Sequence, residues 1–423
     1  MSAPVTDPVA DPTAAGVPAD LLDERLIQEQ GLVGAVLAFV RRVRSGELGS
    51  LPVVVGLVII AVVFQTQAQT FLSSRNLVSI AQFAAPVGII ALGIVLVLLL
   101  GEIDLSVGSM SGLSASIMAV LVTYHAQSLW IAIAAAIGAG VAVGLVYGLL
   151  YTKVGVPSFV ISLAGLLALL GLQLRTLGEN GSVNLPPTSG LIVFARQKFV
   201  TGGAAYGLMA LAVLLYVGAR LLTWRRRRAA GLSTEPLTLL AVKAVALLAG
   251  LLYAAYYLGI DRGIPYLTIL FVVLVVLVDL ALRRTRWGRH VFAVGGNEEA
   301  ARRAGIKVDR VYISVFVSCS VLAALGGLLA AGQLTSVSQS SGGTDTNLTA
   351  ISAAVIGGTS LFGGRGSAWS ALLGIFVLTS IQFGLNLIGV DASVRYVVTG
   401  LVLLLAVAID SVSRRARSSS GRG

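Results

Sequence analysis

The sequence predicts an all-α, polytopic integral membrane protein with both termini on the cytoplasmic side. Three observations carry this reading. Of 423 residues, 56% are hydrophobic and only 12% are charged, against about a quarter charged in an ordinary soluble domain. The mean hydropathy is +0.91. The apolar residues gather into about twelve stretches, and the Lys and Arg that give a net charge of +11 flank those stretches on alternate sides. Because a backbone in hydrocarbon must satisfy its own polar groups, long apolar stretches read as helices of about 20 residues.

Taken in order, residues 1–50 begin with Pro, Ala and Asp rather than a basic stretch leading into an apolar core, so no cleavable signal is expected. Within this cytoplasmic tail, Asp20 to Arg44 mixes apolar and charged residues, as either an interfacial helix on the inner membrane surface or a plain linker does. A transmembrane domain follows over 51–410. Its eleven long apolar segments cover 51–69, 77–100, 105–123, 129–151, 157–174, 204–223, 237–259, 264–282, 312–332, 367–390 and 394–410. The remaining segment, 347–361, is about 15 residues, or roughly 22 Å at helical rise, against a hydrocarbon core about 30 Å thick. It reads as a short, protein-buried or re-entrant element. Residues 411–423 form a basic cytoplasmic tail with Arg414, Arg415 and Arg417.

Cytoplasmic loops carry the excess of Lys and Arg. With the amino terminus inside and the short element counted as a crossing, Lys153, the Arg225–Arg228 loop, the cluster from Arg283 to Arg310, Arg365 and the tail all fall inside. The charge is therefore a topology signal on a face that meets anionic lipid. Nucleic acid is a poor partner for it, since the basic residues flank spans and lack stacking aromatics. On the fourth span, Gly140, Gly144 and Gly148 recur every four residues, a spacing that lets a second helix approach closely.

Three stretches go beyond a generic span. Gly101-Glu102-Ile103-Asp104-Leu105-Ser106 sets two carboxylates between apolar segments. Either they face a cavity at bilayer depth, or the stretch is a tight cytoplasmic turn in which Asp104 or Ser106 caps the next helix and Glu102 is solvated. In the loop 283–311, Asn297 is a good amino-terminal cap, Glu298 and Glu299 suit the positive end of a helix, Arg302 and Arg303 suit its negative end, and Gly305 can terminate it. The resulting helix of about two turns is too short to stand alone in water and needs a surface to dock on. In the third stretch, Gly357-Gly358 and Gly363-Gly364 bracket a short segment, giving either an interrupted helix beside a substrate path or an ordinary turn between helices. It lacks the lysine and spacing of a phosphate-binding loop.

Single polar residues read as structural. Lys243 can snorkel to the inner interface, and Asp279 can pair with Arg283 one turn on. His125, His290 and the single cysteine, Cys319, lie in unrelated places, so no disulfide, metal site, cofactor site or catalytic constellation is expected. An integral membrane enzyme, which would need such a constellation, is the poorer rival reading.

Four stretches occurring in order over roughly residues 70–410 resemble the ribose/xylose/galactose permease family of ABC importers. They are Gly-Glu-Ile-Asp-Leu-Ser-Val-Gly-Ser-Met at 101–110, Val-Pro-Ser-Phe-Val-Ile-Ser-Leu at 156–163, Gly-Gly-Asn-Glu-Glu-Ala-Ala-Arg-Arg-Ala-Gly-Ile at 295–306 and Ile-Gly-Gly-Thr-Ser-Leu at 356–361. The extra pair of segments around 204–259 looks most like the D-xylose permease branch. Asn347-Leu348-Thr349 stands where the family often has an acidic pair, and Phe383-Gly384-Leu385-Asn386 departs from its usual Asn-Gly.

The resemblance implies a multi-pass permease in a prokaryotic cell membrane, importing a sugar of the pentose class. Its implied partners are a second permease copy, a cytoplasmic ATP-binding subunit and an extracytoplasmic sugar-binding protein, with membrane lipid around them. Gly295, Gly296, Asn297, Glu298, Glu299, Ala300, Ala301 and Gly305 then match the ATPase-coupling segment. Phe83, Glu102, Asp104, Ser106, Ser158, Gly357, Gly358 and Asn386 become candidates for the translocation path or its hinges. The rival is a proton- or sodium-coupled secondary transporter, with Glu102 and Asp104 as its ion site.

Overall fold

The computed structural model describes residues 51–419. The amino-terminal tail of residues 1–50, with the segment read as an interfacial helix or linker, lies outside the described residues, as do residues 420–423 of the basic tail. Fifteen α-helices are present among the described residues. They are α1 (Leu51–Gln67), α2 (Ser74–Leu99), α3 (Val107–Thr123), α4 (Leu129–Leu149), α5 (Ser158–Leu177), α6 (Gly190–Ile192), α7 (Gly202–Ala229), α8 (Leu237–Gly259), α9 (Tyr266–Arg284), α10 (Arg286–Gly296), α11 (Glu298–Arg303), α12 (Val308–Leu334), α13 (Thr344–Ile356), α14 (Ala368–Leu387) and α15 (Ala392–Ser419). π-helical turns at Leu150–Val154 and Val193–Gln197 extend α4 and follow α6.

Each of the eleven long apolar segments coincides with one helix. Eight helices are long and apolar enough to cross a bilayer, and α1, α3 and the first part of α15 are shorter apolar helices. The protein is thus a polytopic, helical membrane protein. The short segment is α13, whose 13 residues rise about 20 Å.

Two details differ from the sequence reading. Two antiparallel strand pairs occur, β1 (Ser182–Asn184) with β4 (Ser336–Ser338), and β2 (Phe199–Val200) with β3 (Ile264–Pro265). At two or three residues each, they are too short to leave an alternating pattern. The Arg225–Arg228 run is no loop: it lies at the end of α7, where cations complement the helix dipole.

The chain forms two compact units. Among the described residues, one comprises 202–257. In it, Arg227 donates to the Ser233 carbonyl at 2.8 Å, Arg228 lies over Trp224, and Lys243 reaches Glu235 in an ion pair. The other unit holds 51–201 and 258–419. Its central helix is α2, 89% of whose apolar window is buried. Around α2 pack α9, α12, α13 and α14, and α12 also packs along α3 and α4. The glycine stripe of α4 serves that last contact: Gly140, Gly144 and Gly148 face the α12 backbone at Ser320, Val317 and Ile313. Asp279 and Arg283 pair on α9 at 2.8 Å.

Candidate functional site

The loop after α9 folds as two short helices. Thr285 caps α10, accepting from Gly288 N–H, and Asn297 caps α11, its Oδ1 accepting from Ala300 N–H at 2.8 Å. Two i,i+4 pairs brace α11, Glu298–Arg302 at 2.8 Å and Glu299–Arg303 at 2.5 Å. The chain leaves it at Gly305, whose φ of +81° favours glycine. The bond from Glu298 raises the Arg302 guanidinium further above its ordinary range, so it stays charged.

The pair is anchored from beneath. Val291, Val294 and Ala301 are buried. A β-carbon on Gly295 would overlap the Leu99 carbonyl oxygen at the end of α2, and that same oxygen accepts from Gly364 N–H at 2.9 Å. Gly296, Asn297, Glu299 and Ala300 remain exposed with Arg302, Arg303 and Gly305. The site therefore offers a fixed, charged ridge that is only half used by its own chain.

From this ridge a polar path leads inward. Glu298 accepts from the Tyr312 hydroxyl at 3.2 Å, and the Tyr312 ring lies 4.5 Å from that of Tyr151. Tyr151 donates to Glu102 Oε1 at 2.7 Å, and Ser158 donates to Glu102 Oε2. Glu102 is thus partnered and half-buried rather than fully solvated. Beside it, Lys153 holds Asp309 at 2.6 Å.

Two residues on, Asp104 is 1% exposed. Its Oδ1 accepts from the backbone N–H and the hydroxyl of Ser106 at 2.8 and 2.7 Å, and Cys319 Sγ lies 3.8 Å from Oδ2. Asp104 thus tightens the lead-in to α3 while Ser106 occupies the cap position without a side-chain cap bond. Among the described residues no cation lies within ion-pairing distance of this carboxylate.

The start of α3 meets a second non-helical segment, 339–343. Gly108 and Gly112 face the backbone at 341–343, Gln173 donates to the Ser341 carbonyl at 2.9 Å, and Asn347 at the start of α13 donates to the Leu105 carbonyl. Gln173 Oε1 and Asn347 Oδ1 are buried there without a partner, the condition in which such groups take up water or solute.

The structure thus gathers Glu102 with Ser158, and Asp104 with Ser106, along one seam. It does not bring every candidate to that seam. Phe83 is 46% exposed with its ring 5.6 Å from that of Phe383, and sits about 24 Å along α2 from Leu99. Asn386 is exposed and accepts from Arg395 at 3.0 Å. Gly357 closes α13 against the Ser370 backbone, and Gly358 turns the chain with φ +102°. The glycine pair therefore makes a turn between two helices and does not interrupt one. Tyr151, Tyr312 and Gln173 were not singled out from sequence, because aromatic and polar residues inside apolar runs carry no local mark of function.

The chain resembles known proteins over most of its length. The family described as branched-chain amino acid transport system / permease component matches residues 76–267 and 260–407. The chain is 35% identical over 349 residues to the xylose transport system permease protein XylH of Escherichia coli, covering 82% of this chain and 87% of that protein. To XylH of Haemophilus influenzae it is 33% identical over 82% of this chain and 91% of that protein. To the ribose import permease protein RbsC of Bacillus subtilis it is 31% identical over 86% and 94%. No solved structure matches.

Proposed function

From the premise that the chain belongs to the branched-chain amino acid transport system / permease component family, we propose that it is the membrane subunit of an ATP-driven importer of a pentose, of xylose type. It is a multi-pass transport subunit and not itself a catalyst; ATP is hydrolysed on a separate chain. The observation that carries the reading is the braced ridge of α10 and α11, fixed at Gly295 to the end of α2 and exposed at Glu299 and Ala300. Such a ridge has a use when a cytoplasmic ATPase docks on it.

In this reading the domain spans 51–410, crosses the membrane twelve times with α13 as a short crossing, and keeps both tails in the cytoplasm. Two copies pair, the ATPase grips residues 295–305 from below, and a sugar-binding protein delivers from above. Movement of α11 reaches Glu102 through Tyr312 and Tyr151, and the seam of Asp104, Ser106 and Ser158 belongs to the path or its hinges. Gly357 and Gly358 are hinge candidates at the foot of α13, and Phe83 and Asn386 mark the far end of α2 and α14. Sugar identity follows the relatives' names alone.

One observation favours a second reading. Asp104 is a buried carboxylate without a cationic partner among the described residues, as an ion-coupled carrier would hold. Reconstitution in liposomes with the cognate ATPase and sugar-binding protein separates the two. The importer requires that loaded binding protein changes ATP hydrolysis and that Glu299→Arg uncouples it. Sugar accumulation driven by a proton or sodium gradient without ATPase would replace the importer by the carrier.

A further inference from the structure

Between α10 and α12 lies a cavity of about 610 Å³. Its walls include His290 from α10, Lys307 and Arg310 at the start of α12, and the Trp287 indole, with Ile306 and Val311 supplying apolar surface. None of the three basic side chains has a carboxylate within ion-pairing distance among the described residues. Asp309, the one acid between Gly305 and Tyr312, is turned away toward Lys153 at 2.6 Å and Arg302 at 3.9 Å. Trp287 is fixed in orientation, its Nε1–H donating to Ser314 Oγ at 2.8 Å.

The cavity also sits at a defined level. Arg283 and Arg284 end α9 just before α10, and α12 becomes apolar from Val311 onward, so the groove lies where the inner leaflet's headgroups would meet the protein. A fixed tryptophan at such a level is characteristic of the interface, and basic pockets between helices on the cytoplasmic side select anionic headgroups.

We infer that this groove binds the phosphate headgroup of an anionic glycerophospholipid such as phosphatidylglycerol, with Lys307, Arg310 and His290 around the phosphate and Trp287, Ile306 and Val311 against its glycerol and upper acyl chain. A soluble phosphate shares the headgroup chemistry but leaves the apolar wall uncovered. The inference rests on the inside orientation of this face proposed above. Its test uses neither ATP nor sugar, so it and the importer reading fail separately.

The experiment uses the full chain with Trp130→Phe, Trp224→Phe and Trp369→Phe, leaving Trp287 as sole tryptophan and exciting it beyond the absorption of tyrosine, in phosphatidylcholine liposomes carrying either brominated phosphatidylglycerol or brominated phosphatidylcholine. Quenching of Trp287 is expected at a brominated-phosphatidylglycerol fraction at least about fivefold lower than for brominated phosphatidylcholine. Lys307→Gln with Arg310→Gln abolishes the preference, Arg225→Gln with Arg226→Gln leaves it, and excess glycerol phosphate does not displace it. Native mass spectrometry of the chain with its tryptophans intact gives the same comparison: phosphatidylglycerol is retained by the parent and lost in the Lys307→Gln, Arg310→Gln variant. Equal quenching by the two lipids, a preference that survives in that double variant, or displacement by glycerol phosphate overturns the inference.

Discussion

Glu102 shows what one half-buried carboxylate needs between apolar helices. It keeps its place through two hydroxyl donors, Tyr151 and Ser158, the first of them packed at a tilt against Tyr312, whose hydroxyl bonds to Glu298. The two tyrosines therefore act through hydroxyl and ring separately, and the two contributions can be resolved. Tyr151→Phe and Tyr312→Phe each remove one hydrogen bond to a carboxylate, and each is expected to cost about 1 kcal/mol in detergent unfolding. Both variants keep the rings in contact. Tyr151→Ala combined with Tyr312→Ala should instead show a coupling of about 0.5–1.5 kcal/mol from the lost ring pair. Unchanged stability in both Phe variants would mean that neither hydroxyl matters. At this scale the sequence spoke clearly at Asn297, because a cap, two acids and two bases in order have a local cause. It was silent on Tyr312, which reads as one more apolar-span aromatic, and on Asn347 meeting Leu105, a contact between residues far apart in the chain.

Among elements, α4 is decided by three positions where a side chain has no room. Gly140, Gly144 and Gly148 lie on the α12 backbone, whereas Gly138, on the same helix, has nothing within 4 Å of where its β-carbon would be. Gly144→Leu is expected to separate α4 from α12 and lower stability by about 1–3 kcal/mol or more. Gly138→Ala should be neutral or stabilising by up to about 1 kcal/mol, since only helix propensity changes. Thermal unfolding of the two variants in one detergent checks the contrast, and equal losses would show that the stripe is not the contact that matters. The four-residue spacing made this packing legible. Its partner helix was not, because many spans offer an apolar face and spacing alone does not choose among them. The short strands and the π-helical turn at Leu150–Val154 were hidden for a different reason: each is set by tertiary surroundings rather than by a pattern of its own.

For the whole molecule, the apolar segments carried most of the fold, because bilayer thickness acts on every span alike, while the alternation of basic residues predicts its sidedness. The joining of Leu99, Gly295 and Gly364 at one end supports placing loops distant in sequence on one side. The presence of a single cysteine makes this testable. In a Cys319→Ser background, which keeps a donor for Asp104, His125→Cys should react with an impermeant maleimide on intact cells. Ala300→Cys and Arg365→Cys should react only after permeabilisation. Labelling of Arg365→Cys from outside would remove α13 as a crossing and with it the twelve-span arrangement.

The meeting of Leu105 with Asn347 has an electrostatic consequence. Both α3 and α13 begin there, so two helices that fall short of a full span aim their positive ends at one region between them. In the proposed importer that field would oppose sodium and potassium and leave an uncharged, hydroxyl-rich molecule unaffected. In the importer proposed above, such a passage would take up its solute at little cost to the ion gradients across the membrane.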